Sequence, residues 1–165
     1  MKRHRTVPLF RLMIAALAVL LSGCDGTTTL PRSITGSWLN IAVNPGGSRV
    51  EDRLELTADG RYVWTTAIFG SQGRTPDGML WWLSRSGDWR VEGDRLALRT
   101  TSGMAWEHGS AVVQLEYGGE WNRDHRLRLQ GDRLLLQEVL PPEMSRTPQS
   151  YAFDRTDGAL DDPRP

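Results

Sequence analysis

Three segments of the chain repeat one pattern, in which apolar and charged residues alternate on both sides of a short turn. In "RLELTADGRYVW" (53–64) the turn is Ala58-Asp59-Gly60, and "GDWRVEGDRLALRT" (87–100) and "RLRLQGDRLLLQE" (126–138) have the same design. Successive side chains of a strand point to opposite faces, so this alternation predicts a β-hairpin with one buried face. The chain is therefore expected to fold as a series of antiparallel hairpins.

Further strands are predicted at 34–43, 79–83, 111–117 and 150–154, and no stretch after residue 33 has a sustained helical period. A meander of about eight to ten strands leaves exposed edges, which closure into a barrel removes. We therefore predict an all-β, up-and-down antiparallel β-barrel over residues 34–156. A two-sheet β-sandwich is the alternative.

The first 23 residues have the layout of a secretory signal peptide. Four basic residues within the first eleven positions precede an unbroken apolar run from Leu12 to Leu21. That run is about half as long as a membrane-spanning helix requires. We predict a cleaved leader, because a buried helix of the domain would bring four uncompensated basic residues to its core.

The leader ends in Leu21-Ser22-Gly23, and Cys24, the single cysteine of the chain, follows at once. This arrangement resembles the lipobox of bacterial lipoproteins. The resemblance implies that the Cys24 thiol receives a diacylglyceryl group, that the leader is cut between Gly23 and Cys24, and that the new amine is acylated. Two or three acyl chains, such as palmitate, anchor a protein firmly. The expected location is the bacterial cell membrane, facing the periplasm.

Asp25 is similar to the signal that retains enterobacterial lipoproteins in the inner membrane, so that membrane is favoured over the outer one. Residues 24–33 are predicted to form the lipidated terminus and a short tether. Residues 157–165, which are acidic and contain proline, are predicted to form a disordered tail.

Without the leader, the chain has 16 arginines and 20 acidic residues, which gives a net charge of about −4. This balance argues against a nucleic-acid partner.

Gly36-Ser37-Trp38 lies in the first predicted strand and Arg155 in the last. The pair is similar to the pattern of calycins and lipocalin-like proteins, in which a Gly-x-Trp packs at the closed end of a barrel and an arginine of the last strand covers the tryptophan. The resemblance implies that Trp38 and Arg155 serve barrel closure. The further motifs of animal lipocalins are missing, so the size of any cavity stays open.

Few residues point to chemistry. His108 follows Glu107 and His125 follows Asp124, but adjacent side chains on a strand point to opposite faces and cannot chelate one metal ion. The chain has no His-x-His or Cys-x-x-Cys spacing, no Gly-x-Ser-x-Gly elbow and no phosphate-binding glycine loop. We therefore predict no catalytic residue, no metal and no cofactor, and a protein that is not an enzyme.

The tryptophans carry the remaining signal. Three of the seven fall at inward positions and are expected in the core: Trp38, Trp64 and Trp89. Trp81 and Trp82 are neighbours, so one of them is expected to be exposed or to lie at the mouth of the barrel. Trp106 lies in a segment that we predict to be a long loop. These three residues are the predicted rim of a ligand or partner site, with packing under a loop as the alternative.

Two functions follow. The first is a lipid-anchored envelope protein whose barrel binds an apolar small ligand, which a cavity of about 300 Å³ or more would favour. The second is an interaction or inhibitor module with a filled barrel that docks another envelope protein, which an exposed aromatic patch would favour. The second layout resembles lipid-anchored lysozyme inhibitors in outline, although their paired cysteines are missing.

Overall fold

The structure, a computed structural model, describes residues 34–71, 78–116 and 121–157. The predicted leader, Cys24 with its neighbours Gly23 and Asp25, and the tail beyond residue 157 lie outside these ranges. Within them, no helix combines the length and the apolar character that crossing a membrane would take.

Nine β-strands make up the described fold. They are β1 (Gly36–Val43), β2 (Arg49–Leu56), β3 (Arg61–Phe69), β4 (Met79–Glu92), β5 (Arg95–Glu107), β6 (Val113–Leu115), β7 (Arg123–Gln130), β8 (Arg133–Val139) and β9 (Ser150–Thr156). All pairings are antiparallel, and β1 pairs with β9 while β5 pairs with both β4 and β7. Eight strands thus close into a barrel and β6 adds a short edge to β5. The predicted up-and-down barrel is confirmed, and the alternative sandwich is not adopted.

The three predicted hairpins are β2–β3, β4–β5 and β7–β8, and their turns all lie at one end of the barrel, the closed end. Each turn contains a glycine at positive φ, Gly60, Gly93 and Gly131, a conformation that glycine adopts at low cost. Each turn also accepts a backbone hydrogen bond from the next strand. The donors are the amides of Trp89 to Gly60 O, Leu127 to Asp94 O and Arg155 to Asp132 O, at 2.7–2.8 Å.

The main core fills the closed end. Its members are the inward residues of the alternating strands together with Ile34: Trp38, Leu54, Leu56, Tyr62, Trp64, Trp89, Leu96, Leu98, Leu127, Leu134, Leu136 and Phe153. The three tryptophans expected in the core are therefore buried there.

Trp38 and Arg155 are directly opposite each other where β1 pairs with β9. The Arg155 guanidinium carbon lies 4.2 Å from the centroid of the Trp38 ring. Arg155 Nη1 donates to the Thr35 carbonyl, and Trp38 Nε1 to the Ile34 carbonyl, both at 2.9 Å. Gly36 has φ 124°, and a Cβ there would lie 2.9 Å from Arg155 Nη1. The contact expected of these residues is present, and it leaves no room for a side chain at Gly36.

Two segments differ from the sequence-based expectations. The stretch around Trp106, expected to be a loop, belongs to β5, because its backbone pairs with β4 on one side and with β6 on the other. Strand β4 is also continuous through Gly87. A Cβ at Gly87 would lie 2.0 Å from the Arg99 carbonyl oxygen, beside an irregularity in the β4–β5 register. The predicted strand 79–83 and the first strand of the predicted hairpin 87–100 are therefore one strand, and Gly87 allows β4 and β5 to approach closely.

Candidate ligand-binding site

A cavity of about 330 Å³ lies inside the barrel, on the side of the main core away from the closed end. Core residues Tyr62, Trp64 and Leu98 form its floor. The wall above them comes from several strands and from the chain before β7 and before β9: Val50, Asp52, Thr66, Arg85, Thr100, Trp121, Arg123, His125, Glu138, Arg146, Gln149 and Tyr151. The floor is apolar and aromatic, whereas the wall is polar and carries charge.

Asp52 is one of the two acids of the wall, and it is only 6% exposed. Its Oδ1 accepts hydrogen bonds from Trp64 Nε1 at 3.2 Å and Thr66 Oγ1 at 2.7 Å, and its Oδ2 accepts one from Asn40 Nδ2 at 3.2 Å. Three neutral donors therefore satisfy this buried carboxylate.

Glu138 is the second acid, and arginines hold it. Arg146 donates to both carboxylate oxygens, at 2.7 and 2.5 Å, and Arg123 Nε lies 3.4 Å from Oε1. The backbone amide of Gln149 donates at 3.4 Å. Burial by itself raises the pKa of Glu138, but the hydrogen bonds from Arg146 and Gln149 bring the pKa below its usual value. Glu138 is therefore ionised at neutral pH.

His125 lies beside Glu138 in the β7–β8 register and is 2% exposed. Among the residues that the structure describes, its Nδ1 has no hydrogen-bond partner. Burial, opposed in part by the charge of Glu138, lowers the pKa of His125 to about 4. The imidazole in the cavity wall is therefore neutral at pH 7.

Arg85 lies opposite Trp64 in the β3–β4 register, and its guanidinium carbon is 5.2 Å from the centroid of the indole ring. Its Nε is buried and has no hydrogen-bond partner within the described ranges. Arg85 makes no hydrogen bond or ion pair with any residue that the structure describes. It is a partly buried cation of the cavity wall whose guanidinium lies over an aromatic face.

Aromatic rings surround Trp64 within the barrel. The Tyr151 and Phe153 rings meet it edge-on, with centroid distances of 4.9 and 5.6 Å, and the His125 ring is tilted at 5.6 Å. The Tyr151 hydroxyl donates to Gln149 Oε1 at 2.6 Å. These contacts fix the orientation of the rings that a ligand in the cavity would meet.

The predicted rim residues do not line this cavity. Trp82 pairs with Ala67 and with Trp106, next to cavity-lining Thr66, so Trp82 and Trp106 lie on the outer face of the barrel wall. Trp82 is nevertheless 2% exposed, within a second apolar cluster formed by Ala67, Phe69, Met79 and Trp82 with Met104 and Trp106 against it. Trp81 is half-buried and faces inward.

The sequence interpretation missed the cavity residues, although they left a signal. Every second residue of a strand faces inward. In β2 the inward positions of Leu54 and Leu56 continue back to Asp52, and in β4 that of Trp89 continues back to Arg85. In β8 the inward positions of Leu134 and Leu136 continue on to Glu138. Charged residues at the inward positions of several strands indicate a polar chamber above an apolar core.

Across the described residues, no three His, Cys, Asp or Glu side chains are grouped to hold a metal ion. No protein-family model matches the chain, and no curated protein matches it.

Proposed function

We propose that this protein is a binding module of the bacterial cell envelope that holds a small organic ligand inside its barrel. The observation that carries the proposal is the cavity of about 330 Å³ above Trp64 and Leu98. Pockets for small molecules have volumes of about 300–1,000 Å³ and combine apolar surface with a few polar groups in fixed positions. The aromatic floor and the polar wall together have this character.

The lining favours a ligand with an apolar body and a polar group over a wholly apolar one. Trp64, Leu98 and Tyr151 offer apolar surface, but Arg85 and His125 line the same space, and Arg85 Nε and His125 Nδ1 have no hydrogen-bond partner among the described residues. A wholly apolar occupant would remove these groups from water without offering a hydrogen bond, which is costly.

The proposed anchor fits this use of the barrel. Lipidation of Cys24 would attach the domain to a membrane through the tether of residues 25–33, with Asp25 favouring the inner membrane. Ile34 and Thr35, the first residues that the structure describes, lie at the closed end beside Trp38 and Arg155, whereas the cavity lies toward the other end. The cavity would then face the periplasm and take its ligand from there.

Native mass spectrometry of the full-length protein, extracted in detergent from the cells that produce it, tests the proposal. A retained small molecule that is lost on denaturation is expected. Val50→Trp, which fills the cavity, should abolish retention. The matched control Val63→Trp lies on the outer face of β3, where Val63 is 40% exposed, and should retain the molecule. Equal retention by Val50→Trp and the wild type would contradict the proposal, as would a wild-type protein that retains no molecule.

A further inference from the structure

We infer that the ligand of this cavity is an anion, a carboxylate on a planar apolar body, and that Arg85 binds its charged group. The inference rests on the proposed function, because it names the chemical class that the same cavity would hold. Three observations carry it: the charge balance of the wall, the position of Arg85, and the unsatisfied imidazole of His125.

The cavity wall contains more positive than negative charge. Three arginines face two carboxylates. Arg146 and Arg123 are both engaged by Glu138, and Asp52 is satisfied by neutral donors. Among the described residues, Arg85 is therefore the arginine of the wall that forms no ion pair with either acid, and three arginines against two carboxylates leave the wall with a net positive charge. The Nε of Arg85 is buried, and a guanidinium in a partly enclosed cavity is stabilised by an anionic partner, which a ligand can supply.

The position of Arg85 suits a carboxylate. Its side chain projects from β4 into the cavity and lies 5.2 Å from the Trp64 centroid. Contact with an indole face restrains the guanidinium without using its N–H donors. The planar fork of those donors matches the two oxygens of a carboxylate, which gives paired hydrogen bonds. Arg85 thus offers an oriented, unused set of donors.

His125 adds a second polar contact near the same indole. It is 2% exposed, its Nδ1 has no hydrogen-bond partner in the part of the chain that the structure describes, and its ring centroid is 5.6 Å from that of Trp64. A neutral imidazole has one donor and one acceptor, so it can make a further hydrogen bond without adding charge. Arg85 and His125 therefore flank the ring on which a planar ligand body would lie.

The apolar body follows from the rings around that position. Trp64 and Tyr151 are held edge to face, and Leu98 completes the floor. Offset or edge contacts with such rings suit a flat unsaturated group. At about 330 Å³, the cavity is at the small end of the range for ligand sites, which points to a compact molecule.

Three probes of one shape and different charge test the inference: 2-naphthoate, 2-naphthalenemethanol and 2-naphthylmethylammonium. Their dissociation constants are measured by isothermal titration calorimetry on the full-length protein in detergent. We expect 2-naphthoate to bind at least tenfold more tightly than the alcohol, and the ammonium to bind most weakly. Arg85→Gln should reduce the affinity for 2-naphthoate to that for the alcohol while leaving the alcohol unchanged.

Two further variants keep the test decisive. Arg85→Lys retains the charge without the fork and should give an intermediate affinity for 2-naphthoate, even if Arg85→Gln does not fold. Arg61→Gln is the matched control, since Arg61 is 54% exposed and pairs with Asp88 outside the barrel, and it should change neither affinity. Equal affinity of the wild type for all three probes, or a preference for 2-naphthoate that survives in Arg85→Gln, would overturn the inference and leave cavity binding intact. Absence of binding by all three probes would also overturn it, and native mass spectrometry then decides separately whether the proposed function stands.

Discussion

The guanidinium of Arg155 lies over the indole of Trp38, with 4.2 Å between the guanidinium carbon and the ring centroid. The two residues belong to the first and last strands, whose pairing closes the barrel. Arg155 also donates to the Thr35 carbonyl at 2.9 Å, so one side chain joins the last strand to the backbone just before β1. The contact between the two ends of the fold is thus made by a few identifiable groups.

Removal of either partner of this contact should destabilise the barrel. Trp38→Ala is expected to lower the free energy of unfolding by about 3–5 kcal/mol, because the ring is fully buried. In a double-mutant cycle with Arg155→Ala, urea denaturation should give a coupling energy of about 0.5–2 kcal/mol. Arg133→Ala, which removes an exposed arginine of β8, is the control. Additive effects of Trp38→Ala and Arg155→Ala would show that the stacking contributes no stability.

A methyl group at Gly87 should disrupt the β4–β5 hairpin. The added Cβ would lie 2.0 Å from the Arg99 carbonyl oxygen, a backbone atom that cannot move away alone. We expect Gly87→Ala to lower the free energy of unfolding by about 1–3 kcal/mol or more. Gly46→Ala is the matched control, since nothing lies within 4 Å of its Cβ position and its φ is not positive. Equal melting temperatures for the two variants would contradict the close strand approach at Gly87.

The stability of the barrel should fall as the pH is lowered from about 6.5 to about 4. Burial lowers the pKa of His125 from 6.5 in the unfolded chain to about 4 in the fold. Between these values the unfolded chain binds a proton at His125 that the folded chain does not, so protonation favours unfolding. Below both values the loss amounts to roughly 3 kcal/mol relative to neutral pH. Urea denaturation across this range measures it.

His125→Gln provides the control for this pH dependence. The variant has no titrating group at the position, and its stability should stay nearly constant down to about pH 4.5. Below that point the unfolded chain binds a proton at Glu138 that the folded chain, in which the pKa of Glu138 is lowered, does not yet bind, and this adds a further loss of stability in both proteins. A wild-type profile that matches that of His125→Gln would mean that His125 does not titrate abnormally.

Cys24→Ser should prevent lipidation and leave the leader attached. A serine hydroxyl is a far weaker nucleophile than a thiolate, so no thioether can form. We expect a wild-type mature chain that begins at a modified Cys24 and partitions into detergent, and a variant with the mass of the uncleaved precursor. Intact-mass spectrometry checks both. A mature amino terminus at another residue, or a free thiol at Cys24, would reject the lipoprotein proposal.

The hairpins of the closed end could be predicted from the sequence because the pattern that defines each hairpin lies within about a dozen consecutive residues. In the hairpin of 53–64, alternation and a glycine turn are enough to place Leu54 and Trp64 on the buried face. The contact between Trp38 and Arg155 is not local, and it could be expected through the resemblance to calycins.

The cavity could not be predicted in the same way, because a charge at an inward position can be buried or solvated. Glu138 is buried through Arg146, a residue of the β8–β9 connection that no periodicity places, and Asp52 through Asn40 of another strand. The rule that adjacent side chains of a strand point to opposite faces correctly placed Trp81 and Trp82 on opposite faces of β4. It could not indicate that the outward Trp82 is also buried, since that depends on Phe69 and Met79 of the second cluster.

The three hairpin turns accept backbone hydrogen bonds from neighbouring strands. These bonds make the closed end of the barrel less tolerant of insertions than the opposite end. Gly60, Asp94 and Asp132 each offer a carbonyl to the next strand, so an inserted residue in one turn would displace a bond in another hairpin. The connections at 44–48 and 140–149, at the opposite end, carry no such bond to a neighbouring turn. A change of length at 44–48 or 140–149 would therefore displace no backbone bond between hairpins, whereas a change of length in any of the three turns would.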